Sequence, residues 1–334
     1  MSWWVWILLA LGLFLTALIV TSIILMRYSI VRTDPYDYNF TPGRDDPDSF
    51  PPSGDSPYRS AAREGNIWWN TQPLERMEIT SRDGLRLVGH YLPADKPTKR
   101  LAFVIHGHRC VSGEMGFISR MYHRWGFNVF CADQRAHGKS EGRYIGMGWL
   151  ERDDMNRWID ALLTKLGGDT VIVLHGISMG AATVMMMSGA RDLSQNVRCA
   201  VEDCGYTDAF DTFYTHMRRD FKPLPFKMLI LCIASGLTKC IAGYRFREAS
   251  ALRVISSITF PMLFVHGTHD DVVPFEMMRR LYDAHGGNKE MLVIELAHHG
   301  TCYFDNTPAY EARVRKFIDT YLGAEQANAA KNIL

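Results

Sequence analysis

The chain has 334 residues, 47% hydrophobic and 22% charged, with a net charge of +1. That is the composition of a globular protein large enough for one sizeable domain, and so even a charge balance offers no basic surface for nucleic acid. The seven cysteines are odd in number, and Cys131, Cys199 and Cys232 sit in apolar runs, so no disulfide framework is apparent.

Trp3 to Met26 carries no charge and as a helix would extend about 36 Å, enough to cross a hydrocarbon core of about 30 Å. A cleaved signal peptide needs a basic start, a shorter apolar core and a small-x-small site. Here the chain opens Met-Ser-Trp-Trp-Val-Trp, and Val20-Thr-Ser-Ile23 is a poor site. Trp3, Trp4 and Trp6 at one end, with Arg27 and Tyr28 at the other, fit interfacial belts, so residues 1–32 are expected to be a single-pass transmembrane anchor with the membrane as partner. Arg27 and Arg32 follow the apolar run, which by the positive-inside rule puts the rest of the chain in the cytoplasm. Residues 33–58, rich in Pro, Asp, Ser and Gly, read as a polar tether without a core.

Residues 59–323 form the expected globular domain, with 324–334 as a tail. Periodicity predicts strands near 74–80, 84–92, 101–106, 127–132, 170–175, 198–203, 260–266 and 291–296, and helices near 112–125, 148–166, 179–190, 274–285 and 308–322. Runs such as Ala102-Phe-Val-Ile and Met262-Leu-Phe-Val lack polar alternation, so both faces of the sheet need cover. Strands alternating with helices imply an α/β fold with a mostly parallel eight-stranded sheet and helices on both faces. Residues 206–257 interrupt the alternation with a mostly helical stretch, expected to be a small cap. Its apolar run Met228 to Leu237 is too short to span a bilayer; it packs as a cap helix, or it forms an acyl-binding wall or touches the membrane.

The apolar run Val171 to Leu174 stops at Gly176-Ile-Ser178-Met-Gly180, and a helix-like Ala-Ala-Thr-Val-Met-Met-Met follows. This is a nucleophile elbow in its strand-turn-helix context, where glycines are needed because side chains would collide with the neighbouring strand and helix. A serine hydroxyl is a weak nucleophile and needs a base, which in turn needs an orienting carboxylate. Both follow downstream, each just past a late strand: Asp270 or Asp271 in Gly267-Thr-His-Asp-Asp-Val-Val-Pro274, and His298 or His299 in Ala297-His-His-Gly-Thr. Asp203, closing the strand from Cys199, is a further candidate acid. The order Ser, Asp, His is that of α/β-hydrolases.

Residues 74–322 resemble the α/β-hydrolase superfamily, in particular bacterial membrane-anchored serine hydrolases of the prolyl-oligopeptidase-like and serine aminopeptidase-like groups. Besides the elbow, Ile105-His-Gly-His108 is similar to the oxyanion-hole turn, and Asp133-Gln-Arg-Ala-His-Gly-Lys-Ser140 to a D-x-R-G-x-G-x-S loop, with Ala136 where glycine is usual. The resemblance selects Asp270 within G-x-x-D-x-x-V-P and His299 within A-x-H-x-x-x-Y, and it implies Met179 and His108 as backbone oxyanion donors. Asp133, Arg135 and His137 are expected to brace their loop. His106 and His108 form an H-x-H pair, but Arg109-Cys110-Val111 supplies no further ligand at zinc spacing, so no metal is expected. The expected function is hydrolysis of a small-molecule carboxylic ester by Ser178, His299 and Asp270 through an acyl-enzyme, without cofactor. A peptidase, amidase or acyltransferase would use the same residues, and a non-catalytic binding protein could share the fold. Protein partners are not legible.

Overall fold

The computed structural model describes residues 2–32, 57–190 and 193–331. The proposed tether at 33–58 falls outside the described residues except at its end, where a helix has already begun.

The chain opens with α1 (Trp3–Ile30) and α2 (Pro57–Asn70). Strands β1 (Glu75–Thr80), β2 (Arg86–Leu92) and β3 (Arg100–Ile105) follow, then α3 (Gly116–Arg124) and β4 (Asn128–Ala132). Next come α4 (Glu151–Leu166), β5 (Val171–Ile177), α5 (Met179–Ser188) and β6 (Val197–Asp203). The cap contributes α6 (Ala209–Asp220) and α7 (Lys227–Ala242), after which the chain closes with β7 (Met262–Gly267), α8 (Phe275–Ala284), β8 (Lys289–Ile294), α9 (Cys302–Asp305) and α10 (Thr307–Lys331).

The strands form one eight-stranded sheet in the order β1-β2-β4-β3-β5-β6-β7-β8. The β1–β2 and β2–β4 pairs are antiparallel and the others parallel. Alternate residues along a strand enter different cores. Leu101, Phe103 and Ile105 of β3 pack with Trp158 of α4, Met185 of α5 and Met278 of α8, while Ala102 and Val104 pack with Trp69 of α2, Tyr122 of α3 and Phe317 of α10. Because the two apolar layers exclude water from both faces, the strands need no polar alternation.

Two boundaries differ from the sequence reading. Helix α2 crosses the expected tether-domain boundary at 58, because Trp69 at its end is buried in the second core. Helix α10 runs through the expected start of the tail and ends at Lys331. Among the described residues α1 is the one helix long and apolar enough to cross a membrane by length and composition. It does not stand apart from the domain: Leu18, Met26 and Ile30 belong to the first core, and Val31 pairs with Tyr144 in an isolated antiparallel bridge.

Candidate active site

Each candidate residue sits just beyond the carboxyl end of a parallel strand, where open α/β sheets gather their ligands. Strand β5 ends at Ile177 and α5 begins at Met179, leaving Ser178 at the corner with φ 57° and ψ −118°. This is a strained conformation for a side-chain-bearing residue. It is held by a bond from Ser178 N–H to the Asp203 carbonyl at 2.8 Å. The two glycines of the elbow are steric requirements: a Cβ on Gly176 would lie 2.3 Å from the Gly180 carbonyl oxygen, and one on Gly180 would lie 2.1 Å from that of Ile105.

His299 lies between the serine and the acid. Ser178 Oγ is 2.7 Å from its Nε2, and Asp270 Oδ2 is 2.7 Å from its Nδ1. The acid and histidine loops are stitched together, with Thr268 N–H on the Ile294 carbonyl at 3.1 Å and His269 N–H on that of Ala297 at 3.0 Å. Asp270 Oδ1 accepts from the N–H groups of Val272 and Val273 at 2.9 and 2.7 Å. The neighbours that the sequence left open point elsewhere. Asp271 pairs with Arg219 at 3.5 Å, and the exposed ring of His298 packs edge-on to His269.

A second histidine supports the acid. His266, buried at the end of β7, places Nε2 2.8 Å from the Val273 carbonyl and 3.3 Å from Asp270 Oδ2. Burial opposes ionisation of Asp270, but the hydrogen bonds from His266 and His299 outweigh it and hold the carboxyl below its usual range. His266 is not singled out as a site residue by the sequence; its position four residues before the acid is the signal that could have found it. The other candidate acid, Asp203, is bonded to a different partner. Its Oδ2 accepts from the Tyr310 hydroxyl at 2.8 Å, and Tyr310 joins His175 and Tyr122 in a buried chain of hydrogen bonds. Burial pushes the Asp203 carboxyl up to about 6.

The loop after β3 lies against the serine: a Cβ on Gly107 would be 3.5 Å from Ser178 Cβ. Met179, as the first residue of α5, has an N–H that the helix ladder does not use. The loop is held by other amides, Cys110 N–H on the Gly107 carbonyl at 3.3 Å and Arg109 N–H on His137 Nε2 at 3.0 Å. His137 then donates from Nδ1 to the Arg135 carbonyl at 2.9 Å. His106 is likewise committed, donating from Nδ1 to the Gly107 carbonyl at 2.8 Å and accepting the Gln134 N–H at 3.0 Å. Both ring nitrogens of His106 are thus spent on protein, against a metal role for the H-x-H pair. The ring of His108 leaves the site and donates to the Ser29 carbonyl of α1 at 3.0 Å.

The loop after β4 is braced as its residue types suggested. Asp133 accepts from Ser112 and Lys139 N–H groups at 2.8 and 2.9 Å, and Arg135 bridges Asp154 and Asp83. Cys204, Asp270 and His299 bring potential ligand atoms within 4.8 Å of one another, but the last two direct those atoms at each other and at Ser178.

A family model of the alpha/beta hydrolase fold matches residues 114–229. The chain has the alpha/beta hydrolase fold. It is 34% identical over 194 residues to the uncharacterized protein YqkD of Bacillus subtilis, a match covering 58% of this chain and 63% of that relative, just under two thirds of its length. A Saccharomyces cerevisiae protein described as the uncharacterized membrane protein YNL320W is 23% identical, with 68% of this chain and 74% of that one covered. Among solved structures, the Pyrococcus furiosus esterase Pf2001 superposes with a TM-score of 0.60 at 23% identity, covering 75% of this chain and 94% of the esterase. At that identity the likeness speaks for the hydrolase fold alone.

Proposed function

We propose that this protein is a serine hydrolase acting on carboxylic esters. The observation that carries the reading is His299, hydrogen-bonded at 2.7 Å to both Ser178 and Asp270. As Ser178 Oγ attacks the ester carbonyl carbon, its proton passes to His299 Nε2, and Asp270 stabilises the imidazolium through Nδ1–H. The N–H groups of Met179 and His108 receive the charge that develops on the carbonyl oxygen. His299 then protonates the departing alkoxide, leaving an acyl-serine. Water, deprotonated by His299, releases the acid and restores the hydroxyl.

The test is labelling with a fluorophosphonate, with aryl esters and aminoacyl amides compared as substrates. Ser178→Ala abolishes labelling and lowers kcat by about 10⁴-fold or more. Undiminished labelling of the variant refutes the nucleophile, and faster turnover of the amides refutes the ester preference.

The domain is anchored to a membrane through α1 and faces the cytoplasm, on the side of the exposed Arg27. A carboxyl-terminal reporter active only outside the cell would refute that orientation.

A further inference from the structure

Helix α1 is packed along the cap. Its Leu18, Ser22 and Met26 are buried, and the Phe14 ring meets Phe226, at the start of α7, with centroids 5.3 Å apart. At the other end Ile145 N–H donates to the Ile30 carbonyl at 2.7 Å. Tyr244, just past α7, donates its hydroxyl to the Ile145 carbonyl at 2.7 Å. The two helices therefore run side by side in the same direction. Only Trp3 to Leu13 projects beyond α7, about 16 Å of helix, or half of a hydrocarbon core of about 30 Å. A bilayer that covers the apolar length of α1 must reach α7 too.

The outer surface of the cap suits that environment. Phe221, Phe226, Met228, Leu229 and Ile241 are exposed, as is much of the apolar length of α1, and Phe226 joins the two surfaces through its contact with Phe14. Nearby cations do not forbid entry. Lys227 turns its ammonium back onto the Lys222 and Leu224 carbonyls at 3.0 and 2.6 Å, and Arg219 is held by Asp220 at 2.6 Å. The long side chains of Arg218 and Lys222 can reach toward headgroups. They limit the depth, so the pair enters tilted, with α7 on the headgroup side.

The same helix ends at the catalytic loop. Ser29 lies about 4.5 Å along the axis beyond Met26, the end of the uncharged run, and its carbonyl holds the His108 ring at 3.0 Å. A Cβ on the preceding Gly107 would be 3.5 Å from Ser178 Cβ. The nucleophile is thus at the polar edge of whatever bilayer takes up α1.

From this arrangement we infer that α1 and the outer face of α7 enter the bilayer as one unit, and that Ser178 takes its substrate from that bilayer, as an ester of a long acyl chain. The inference rests on the serine-hydrolase and membrane-anchor readings above and adds the substrate class and the route of delivery.

Cys232 on α7 is exposed and supplies a native reporter position. The full-length protein, with Cys110 and Cys240 replaced by serine, is labelled at Cys232 with an environment-sensitive fluorophore and reconstituted into phosphatidylcholine–phosphatidylglycerol vesicles. Quenching by nitroxide lipids but not by aqueous iodide is expected; the reverse overturns the inference. In a second measurement, the double variant Met228→Glu, Leu229→Glu loses about tenfold or more of its turnover of p-nitrophenyl palmitate carried in the vesicles, as expected from the lost apolar contact. Its turnover of soluble p-nitrophenyl acetate and its labelling by fluorophosphonate stay unchanged. Equal loss on both esters, or no loss on either, overturns the inference while leaving the hydrolase reading intact. A wild-type protein that hydrolyses neither ester and resists the probe overturns both.

Discussion

Replacing His108 with alanine separates the work of its amide from that of its ring. The amide stays, and with it the proposed oxyanion donor. What is lost is the ring's bond to the Ser29 carbonyl at 3.0 Å and its edge contact with His137. Such a bond contributes about 1 kcal/mol net. If it favours the competent loop position by that margin, removing it lowers the competent fraction about fivefold. Complete loss of an oxyanion donor would cost about 10²- to 10³-fold and sets the upper limit.

We therefore expect His108→Ala to lower kcat on a soluble aryl ester by about five- to a hundredfold. KM should change little, because the donor acts mainly on the transition state. Burial, with Arg109 beside it, pushes the His108 ring down to about 4. The ring is therefore neutral in the assay range, and the pH profile should keep its shape. Steady-state kinetics of the full-length protein decide the matter. A loss matching that of Ser178→Ala would place the ring in the chemistry, and an unchanged kcat would show that the α1 contact does not hold the loop.

Asp270→Asn should lower kcat by about 10⁴-fold with the fold intact, because an amide presents the wrong partner to His299 Nδ1–H; near-normal turnover would return the acid role to another carboxylate. Gly180→Ala should destabilise the protein by about 3 kcal/mol, measured by denaturant unfolding, because its Cβ would meet the Ile105 carbonyl oxygen at 2.1 Å; normal stability would mean the elbow can open. Asp203→Asn tests a buried acid by linkage. Its folded pKa, raised by burial to about 6, exceeds the unfolded value of about 3.9, so the neutral carboxyl stabilises the fold below about pH 4 and that contribution is lost as pH rises through about 6. The variant, always neutral, should gain on the wild type across that window and hold its advantage above it. A difference independent of pH would refute the assignment.

The strands and the order of site motifs were legible because each is local. Apolar runs such as Val171 to Leu174 and Met262 to Val265 announce strands buried on both faces, and the glycines at 176 and 180 announce a backbone approach that a Cβ would block. Contacts between distant segments leave no such periodic trace. The pairing of β2 with β4 instead of β3 was not readable, nor was the seat of α1 against α7. Helix α2 was partly hidden by the polar composition that precedes it, and the aromatic pair Trp68-Trp69 was its one clear apolar signal. The choice of Asp270 over Asp271 needed either a resemblance or the loop geometry, since neighbouring carboxylates are alike in composition and differ only in what their backbone lets them face.

The distribution of backbone strain argues for the same edge of the sheet. Non-glycine residues with positive φ include Arg109 after β3, Ala136 after β4, Ser178 after β5, Cys204 after β6 and Leu296 after β8. All lie in loops at the carboxyl ends of strands. Left-handed backbone costs a side-chain-bearing residue about 1–2 kcal/mol, so the surrounding packing must enforce each one. Ala136 is informative because glycine is usual at that position in the family it resembles: with φ at 60° it keeps the geometry that glycine would adopt without strain. Its N–H donates to the Glu141 carbonyl at 2.9 Å, and the loop around it is pinned by the two amides on Asp133. The same loop meets α1 through Arg32, which donates to the Ser140 and Gly138 carbonyls at 2.6 and 2.7 Å. The strained edge and the segment that ends α1 are therefore one mechanical unit.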